Sequence, residues 1–355
     1  MKYIVKKPVK LFDQIERYGE ITNVLGFGDP HVEKVDGRWQ MFIGGFQTNF
    51  KNNLFTASLP HGEPLSSNNW KLSMDNQNPK KAKPLIENSE KGSWDYFGFH
   101  TPCYVKGKGK NGETKELIYY TGRASKKVLD NDAPYSIGAI ERTAGGWRRI
   151  PFPVIMGTSS SPNVLEPKAG FIDGKWRMWY VTTRRETGKK GYPHYTIMYT
   201  ESDNGLTGWS SPFPLFGEDE NYYDASVHPS APEGFEMLVC RSTNLYGRKP
   251  FPKQGLWLLQ GTEPDGKRSG WSSDPYCILD AEEGEDWYKH GIGSPSGHYG
   301  ESEADRNTLY VFFTGLHRER NWMNIALDCL KKKRRPPFPS PFYFTVGRVE
   351  LTKER

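Results

Sequence analysis

Five short segments of the sequence end in a polar residue followed by proline, and these polar residues have side chains that can do chemistry. The segments recur roughly every 60–70 residues, a spacing that indicates a structural repeat. The residues are Asp29, Thr101, Glu166, His228 and Ser294. If the five segments are equivalent strands, these side chains meet at one place. Two carboxylates gathered there can have their pKa values pushed apart to give one acid and one base.

Two carboxylates of this kind suit the hydrolysis of glycosidic bonds. One group activates a water molecule while another protonates the leaving oxygen. Asp29 and Glu166 belong to the first and third segments, so we expect them to face each other across the repeat axis rather than side by side. A wide separation leaves room for water and predicts inversion of configuration.

The elements that must position these side chains are short strands. Apolar runs follow each proline at 39–45, 117–122, 176–182, 235–240 and 309–315. Further runs follow at 53–58, 136–140, 196–200, 255–259 and 323–327, and tryptophan-bearing segments close several copies. Asp36-Gly37 is a turn dipeptide of the type that joins hairpin strands.

Each repeat is therefore a unit of four short antiparallel strands, which cannot bury both faces of its sheet alone. Radial stacking buries them and leaves few exposed edges. The sequence predicts an all-β protein, a five-bladed β-propeller in a single domain over 1–355, with blades beginning near 26, 98, 163, 225 and 291. The segment 342–351 alternates like a strand, and we expect it to pair with the N-terminal segment and close the ring.

Composition excludes several other classes. Aromatic residues make up 14% of the 355 residues, which is too many for a disordered chain. No apolar stretch reaches the length of a membrane span. The net charge of +6 comes partly from basic runs at 80–83 and 331–335, but no recognised motif accompanies them, so no nucleic-acid partner is predicted. The N-terminus lacks an apolar leader, which leaves a cytoplasmic protein or one secreted or periplasmic after signal removal.

Two segments resemble a known family. Residues 28–39 (GDPHVEKVDGRW) and 202–210 (SDNGLTGWS) are similar to segments of glycoside hydrolase family 43. The resemblance implies an inverting, exo-acting glycosidase in which Asp29 is the general base. It also implies that the blade-three residue, here Glu166, tunes pKa values and orients substrate. The family's general acid is a glutamate on blade four, where this chain has Ala225-Ser-Val-His-Pro229.

Two assignments of the general acid follow from that departure. His228 is one, with Glu166 raising its pKa by charge. This pattern is similar to glycoside hydrolase family 117, which uses a histidine acid and acts on anhydrogalactose-terminated oligosaccharides. Glu166 is the other, supported by Asp224 on the same rim.

Substrate contacts are predicted from the loops that follow the second strand of each blade. Four of the five loops carry arginine, whose rigid fork suits carboxylate or sulfate groups. The predicted substrate is a plant or algal oligosaccharide, and these arginines predict that it carries anionic groups, unless they pair with local carboxylates instead. They are Arg123, Arg184, Arg241 and Arg318.

Further side chains lie near the predicted axis. His100 and His290, with Thr101 and Ser294, are expected to line the site. Trp94 is expected to stack on a sugar, although its repeat slot also suits packing between strands. A central histidine in such propellers can hold water or a cation, so the sequence leaves a central cation open, but the predicted chemistry requires no cofactor.

Two alternative functions remain. A sialidase-like hydrolase is one, because residues 201–209 (ESDNGLTGW) come near the Asp-box of those propellers. A non-catalytic glycan-binding propeller is the other, since fold alone does not imply activity. A binding module has no need of opposed carboxylates at equivalent axial positions, which favours the enzyme.

Overall fold

The strands form five antiparallel sheets. The computed structural model describes residues 3–14, 21–184, 194–230, 234–241, 252–264, 266–318, 321–333 and 343–354. Two N-terminal strands come first, β1 (Tyr3–Val5) and β2 (Val9–Asp13). Blade one has β3 (Val24–Val35), β4 (Arg38–Gln47), β5 (Asn52–Ser58) and β6 (Lys71–Leu72). Blade two has β7 (Phe99–Lys108), β8 (Thr114–Gly122), β9 (Ser136–Thr143) and β10 (Gly146–Arg149).

The remaining blades follow in chain order. Blade three has β11 (Asn163–Ile172), β12 (Lys175–Thr183), β13 (Tyr195–Ser202) and β14 (Phe213–Phe216). Blade four has β15 (Asp224–Pro229), β16 (Phe235–Cys240), β17 (Gly255–Gly261) and β18 (Tyr276–Asp280). Blade five begins with β19 (Ile292–Tyr299) and β20 (Thr308–His317), followed by helix α1 (Trp322–Lys331) and β21 (Tyr343–Lys353). The predicted five-bladed propeller with four-stranded blades is confirmed.

The hydrophobic core is divided among the five interfaces between neighbouring blades. Each of five clusters of buried side chains joins one pair of adjacent blades. Strand β4 shows how the sequence achieves this, because side chains alternate between the two faces of a strand. Met41 and Ile43 pack toward blade five, whereas Phe42 packs toward blade two.

The first strand of every blade lies at the centre of the molecule. These strands contact one another in a closed cycle, β3–β7–β11–β15–β19 and back to β3. A residue near the start of each first strand therefore lies near the common axis, at the end of the channel where the second strands finish.

The ring closes through the two ends of the chain. Strand β21 lies beside β20, and both β1 and β2 pair with β21. The predicted pairing of the last segment with the N-terminus is confirmed, although Phe342 itself lies outside the described residues.

The strand predicted at 323–327 is wrong, because these residues belong to α1. The Asn321 side chain caps that helix by accepting a hydrogen bond from the Asn324 amide, a local signal that the short apolar run obscured. No helix in the described ranges is long and apolar enough to cross a membrane.

A buried carboxylate ties this closure to blade four. Glu236 is fully buried and accepts hydrogen bonds from Tyr3 on β1 at 2.8 Å and Tyr299 on β19 at 2.6 Å. The Lys353 ammonium on β21 lies 3.2 Å from it, and His228 Nε2 lies 3.3 Å from it. Burial opposes the charge of Glu236, but His228 and the two tyrosine hydroxyls outweigh burial and hold its pKa well below the usual range.

Glu236→Gln is expected to lower the free energy of unfolding by about 3–5 kcal/mol at pH 7, because it leaves buried charged and polar partners uncompensated. A depressed carboxyl pKa contributes stability above the unfolded-state pKa and loses it as the pH falls. The difference between wild type and variant should therefore shrink below about pH 4. Urea unfolding at pH 7 and in acid measures both effects. Glu301→Gln, in an exposed ion pair with Lys34, is the control, and equal midpoints for wild type and Glu236→Gln would contradict the account.

Candidate active site

Four of the five residues before the repeat prolines sit in the same strained backbone conformation. Asp29, Thr101, Glu166 and Ser294 have φ values of 54°, 53°, 54° and 48°. Such positive φ values are uncommon outside glycine. Each residue lies at a register shift between the first and second strands of its blade. A β-bulge of this kind re-aims a side chain, and here it is repeated around the axis.

The amide of each bulge residue is satisfied by a side chain from the preceding blade. The Asp29 amide donates to Thr314 Oγ1 at 2.7 Å, and the Glu166 amide donates to Thr121 Oγ1 at 2.9 Å. The other two amides donate to carboxylates: the Thr101 amide to Asp29 Oδ2 at 3.3 Å, and the Ser294 amide to Asp224 Oδ2 at 3.0 Å. Blade-to-blade hydrogen bonds thus fix the bulges and bring Asp224 into the site.

Three carboxylates gather around one serine. The Ser294 hydroxyl lies 2.9 Å from Asp29 Oδ1 and 3.3 Å from Glu166 Oε2, while its amide holds Asp224. The wide separation predicted for Asp29 and Glu166 is wrong, because both carboxylates reach the same hydroxyl. The inward-turned bulges bring side chains from blades one, three and five together at the axis.

Blade four departs from the repeat, and the departure moves His228 out of the site. Strand β15 pairs with β16 without a register shift from Asp224 to Pro229. Asp224 pairs with Cys240 across β15 and β16. When the second strands of the blades are aligned, this pair corresponds to Gly28 and Gly44 in blade one. His228 is four residues further along, about 13 Å at the rise of a strand, and it lies against Glu236 instead. Aligning blade four with the others by Pro229 therefore selects the wrong residue for the site.

The site also contains Tyr223, which is not among the site residues predicted from the sequence, and His100, which is. Tyr223 donates its hydroxyl to Glu166 Oε1 at 2.9 Å. His100 Nδ1 lies 3.9 Å from the same oxygen and 2.9 Å from Thr101 Oγ1. Burial, reinforced by the charge of Arg123, lowers the pKa of His100 to about 3, so its ring is neutral at pH 7.

The electrostatics separate the carboxylates. Burial, then the charges of Asp224 and Asp29, raise the pKa of Glu166 well above its usual value. Burial also raises the pKa of Asp29, but the Ser294 hydroxyl and the Lys168 ammonium act against it. Asp29 is only partly buried, whereas Glu166 is 4% exposed and Asp224 is fully buried. Asp29 is thus the carboxylate that solvent reaches, whereas the surroundings of Glu166 favour its protonated form.

The predicted sugar platform is a packing residue. The Trp94 ring stacks on Tyr120, with centroids 5.9 Å apart, and its Nε1 donates to the Pro151 carbonyl at 3.2 Å. The glycines Gly122 and Gly138 make room for this ring, because a side chain at either position would collide with it. Trp287 in the same repeat slot stacks on Phe313. The slot therefore serves packing.

Three of the four predicted arginine contacts are already engaged within the protein. Arg123 is buried, and its Nε and Nη2 both donate to Asn52 Oδ1. Arg184 pairs with Glu218. Arg241 donates to the carbonyls of Glu220 and Lys253, and its guanidinium lies 5.0 Å from the Trp257 ring centroid. Arg123 is therefore withdrawn from any ligand, whereas the Arg184 side chain remains 65% exposed beside Glu218.

The predicted residues His290 and Arg318 contact each other at the end of blade five. The Arg318 amide donates to His290 Nδ1 at 3.4 Å, and the His290 and His317 rings are 6.2 Å apart. Among the residues that the structure describes, no three His, Cys, Asp or Glu side chains are arranged to hold a metal ion.

Comparison with known proteins supports the fold. No protein-family model and no curated protein matches the chain. A family 117 glycoside hydrolase of the marine bacterium Zobellia galactanivorans, Zg3597, matches over 99% of this chain and 90% of its own, with TM-score 0.61 and 12% identity. The chain shares its fold with propeller glycoside hydrolases.

Two further solved structures agree. The catalytic domain of a GH62 α-L-arabinofuranosidase from Coprinopsis cinerea matches over 99% of this chain and 97% of its own, with TM-score 0.57 and 13% identity. A thermostable family-43 glycoside hydrolase matches over 95% and 93%, with TM-score 0.55 and 16% identity. At such low identity the likeness is one of fold, so the chemistry has to be argued from the site.

Proposed function

We propose that this protein is a glycoside hydrolase that acts on a plant or algal oligosaccharide, with Asp29 as general base and Glu166 as general acid. The observation that carries the proposal is the gathering of three carboxylates around Ser294 near the propeller axis, with Asp29 and Glu166 at its hydroxyl and Asp224 at its backbone amide. A binding module gains nothing from buried carboxylates whose pKa values are pushed apart, whereas acid–base catalysis requires them.

The proposed reaction uses each group according to its environment. Asp29 removes a proton from a water molecule as the water oxygen bonds to the anomeric carbon. Glu166 gives its proton to the glycosidic oxygen as the bond from that oxygen to the anomeric carbon breaks. Asp224 contributes negative charge that keeps the proton on Glu166 until the reaction. The Tyr223 hydroxyl orients the Glu166 carboxyl.

Of the two general acids considered from the sequence, the geometry supports Glu166. His228 lies against Glu236 and is separated from Asp29 by the length of β15. Glu166 and Asp29 both lie at the Ser294 hydroxyl. A sugar bound there can therefore receive the Glu166 proton and be attacked by a water molecule held at Asp29. Asp224 is a less suitable donor, because it is fully buried and its Oδ2 already accepts from the Ser294 amide.

The proposal retains inversion and exo action, which the resemblance to family 43 implies, and the geometry adds a requirement. Inverting enzymes hold their carboxyl groups about 6.5–9.5 Å apart, and retaining enzymes about 5–5.5 Å. Because Asp29 and Glu166 share one hydroxyl in the free protein, a bound sugar and water must separate them. An anionic substrate is not part of the proposal, since three of the four arginines that suggested it, Arg123, Arg184 and Arg241, already have partners within the protein.

The anomer released first is expected to have the configuration opposite to that of the substrate bond. Proton NMR spectra recorded before mutarotation, with the free sugar as a control for its rate, measure this directly. The same spectra follow whether single terminal sugars accumulate, as exo action requires. Retention would contradict the proposal and would mean that the pair works at its free-state spacing, with Asp29 as a nucleophile.

A further inference from the structure

A buried lysine follows Glu166 on strand β11, its charge acts on Asp29 and Glu166, and the proposed reaction does not use it. Lys168 follows the Glu166 bulge on β11, and only 2% of its surface is exposed. Its Nζ has no hydrogen-bond partner among the described residues. An ammonium taken out of water without compensation costs several kcal/mol, so its surroundings must supply an opposite charge.

The imidazole and thiol groups near Lys168 are neutral, so the negative charge that balances its ammonium comes from the carboxylates. Burial and the Lys168 charge lower the pKa of His31 to about 4, so this imidazole is neutral at pH 7. Burial raises the pKa of Cys103 to about 11 and that of Cys240 well above its usual value, so both thiols are neutral. The Lys168 charge acts on Asp29 and His31 on β3, Cys103 on β7, Glu166 on β11 and Cys240 on β16. Asp224 on β15 accepts from the Cys240 thiol. Glu33 on β3 acts on His31 and Cys103 and is paired with His298.

We infer that Lys168 is the internal counter-cation of the carboxylate cluster, a positioning residue that keeps Asp29 ionised while Glu166 retains its proton. Three carboxylates around one serine cannot all be charged without a nearby cation, because like charges this close disfavour ionisation. An ammonium on the strand of Glu166 meets this need from within the chain. Its catalytic consequence rests on the proposed function, whereas its charge state does not.

The charge of Lys168 can be measured without any assay of activity. In protein labelled with ¹³C and ¹⁵N at lysine, the Lys168 side-chain resonances should show an ammonium at pH 7. Lys168→Arg, which keeps the charge and removes the signal, assigns the resonance. A neutral amine at pH 7 would overturn the inference, whether or not the protein proves to be a glycosidase.

The effect on the carboxylates is tested by comparing Lys168→Met with Lys168→Arg. Lys168 lowers the pKa values of Asp29 and Glu166, so Lys168→Met should raise both. Both limbs of the pH profile of kcat/KM should then move to higher pH by about one to three pH units. Lys168→Arg should stay near the wild-type profile. A purely structural role would lower activity in both variants without moving either limb, and that result would overturn the inference.

Carboxyl ¹³C titration of Asp29 separates this inference from the proposed function. The Asp29 pKa should rise in Lys168→Met even if no substrate is turned over. If Lys168→Met does not fold, the wild-type lysine resonance decides the matter alone.

Discussion

Asp29→Asn should lower kcat by about 10²- to 10⁴-fold, the usual contribution of a positioned general base. The amide cannot accept a proton from water at any working pH. The site should keep its shape, because the Ser294 hydroxyl can rotate to accept from the new NH₂ group while the amide oxygen still accepts from Thr101. Substrate affinity, measured by calorimetry with the inactive variant, should therefore stay close to the wild-type value.

The matched control for this substitution is Asp36→Asn. Asp36 lies on the same blade in an exposed turn, and its carboxylate pairs with Arg142 at 2.5 Å. This variant should retain wild-type kcat, because exposed ion pairs contribute little. A wild-type kcat in Asp29→Asn, or equal losses in both variants, would remove Asp29 from the reaction.

Glu166→Gln should produce a loss that depends on the leaving group. A natural oligosaccharide needs a proton on the departing oxygen, so its kcat/KM should fall by about 10²- to 10⁴-fold. An aryl glycoside with an acidic phenol, such as 2,4-dinitrophenol, leaves without that proton and should be cleaved at nearly the wild-type rate. Rates measured across phenols of increasing pKa give the dependence directly.

Asp224→Asn is the control that separates the two buried carboxylates. Asp224 raises the pKa of Glu166, so its removal should move the basic limb of the pH profile to lower pH. At a pH below the shifted limb, where Glu166 is protonated in both proteins, its effect should be the same for good and poor leaving groups. If Asp224→Asn rather than Glu166→Gln shows the leaving-group dependence, Asp224 is the acid and Glu166 the residue that tunes it.

The sequence predicts the blades well because the information is repeated five times. Alternating strands around a turn such as Asp36-Gly37 recur in register, and a single error in one copy does not change the architecture. The helix at 322–331 was missed for the opposite reason. Its apolar residues Met323 and Leu327 are exposed, so the run has no buried sheet face to match, and its spacing of four suits a helix equally well.

The residue before each repeat proline identifies a site residue only where a bulge preserves the repeat. Asp29 and Glu166 could be found from the proline that follows each of them. That rule selects His228 instead of Asp224 on blade four, because this blade has no bulge and its proline lies at a different register. Asp224 was predicted only as a rim residue that supports Glu166. Aligning the second strands instead, with Cys240 at the position of Gly44, would have identified Asp224 as the blade-four member.

Contacts between distant segments were beyond what residue types could show. Arg123 and Trp94 have side chains that are typical of a sugar site. In the structure, however, the Arg123 guanidinium donates to the Asn52 side chain and the Trp94 ring stacks on Tyr120. Lys168 was overlooked because a lone lysine in a strand reads as a solvent-facing residue. The bulge between Leu165 and Lys168 determines which face of β11 is turned toward the axis, and Lys168 lies on that buried face.

The most direct test of the central claim is the release of sugar from a panel of oligosaccharides by the wild-type protein, with Asp29→Asn run beside it. The panel should include arabinofuranosides, xylosides and anhydrogalactose-terminated algal oligosaccharides, each as a neutral and an acidic or sulfated version. The account predicts turnover of at least one neutral member by the wild type and its loss in Asp29→Asn. Binding of panel members without any turnover, or turnover that survives in Asp29→Asn, would contradict it.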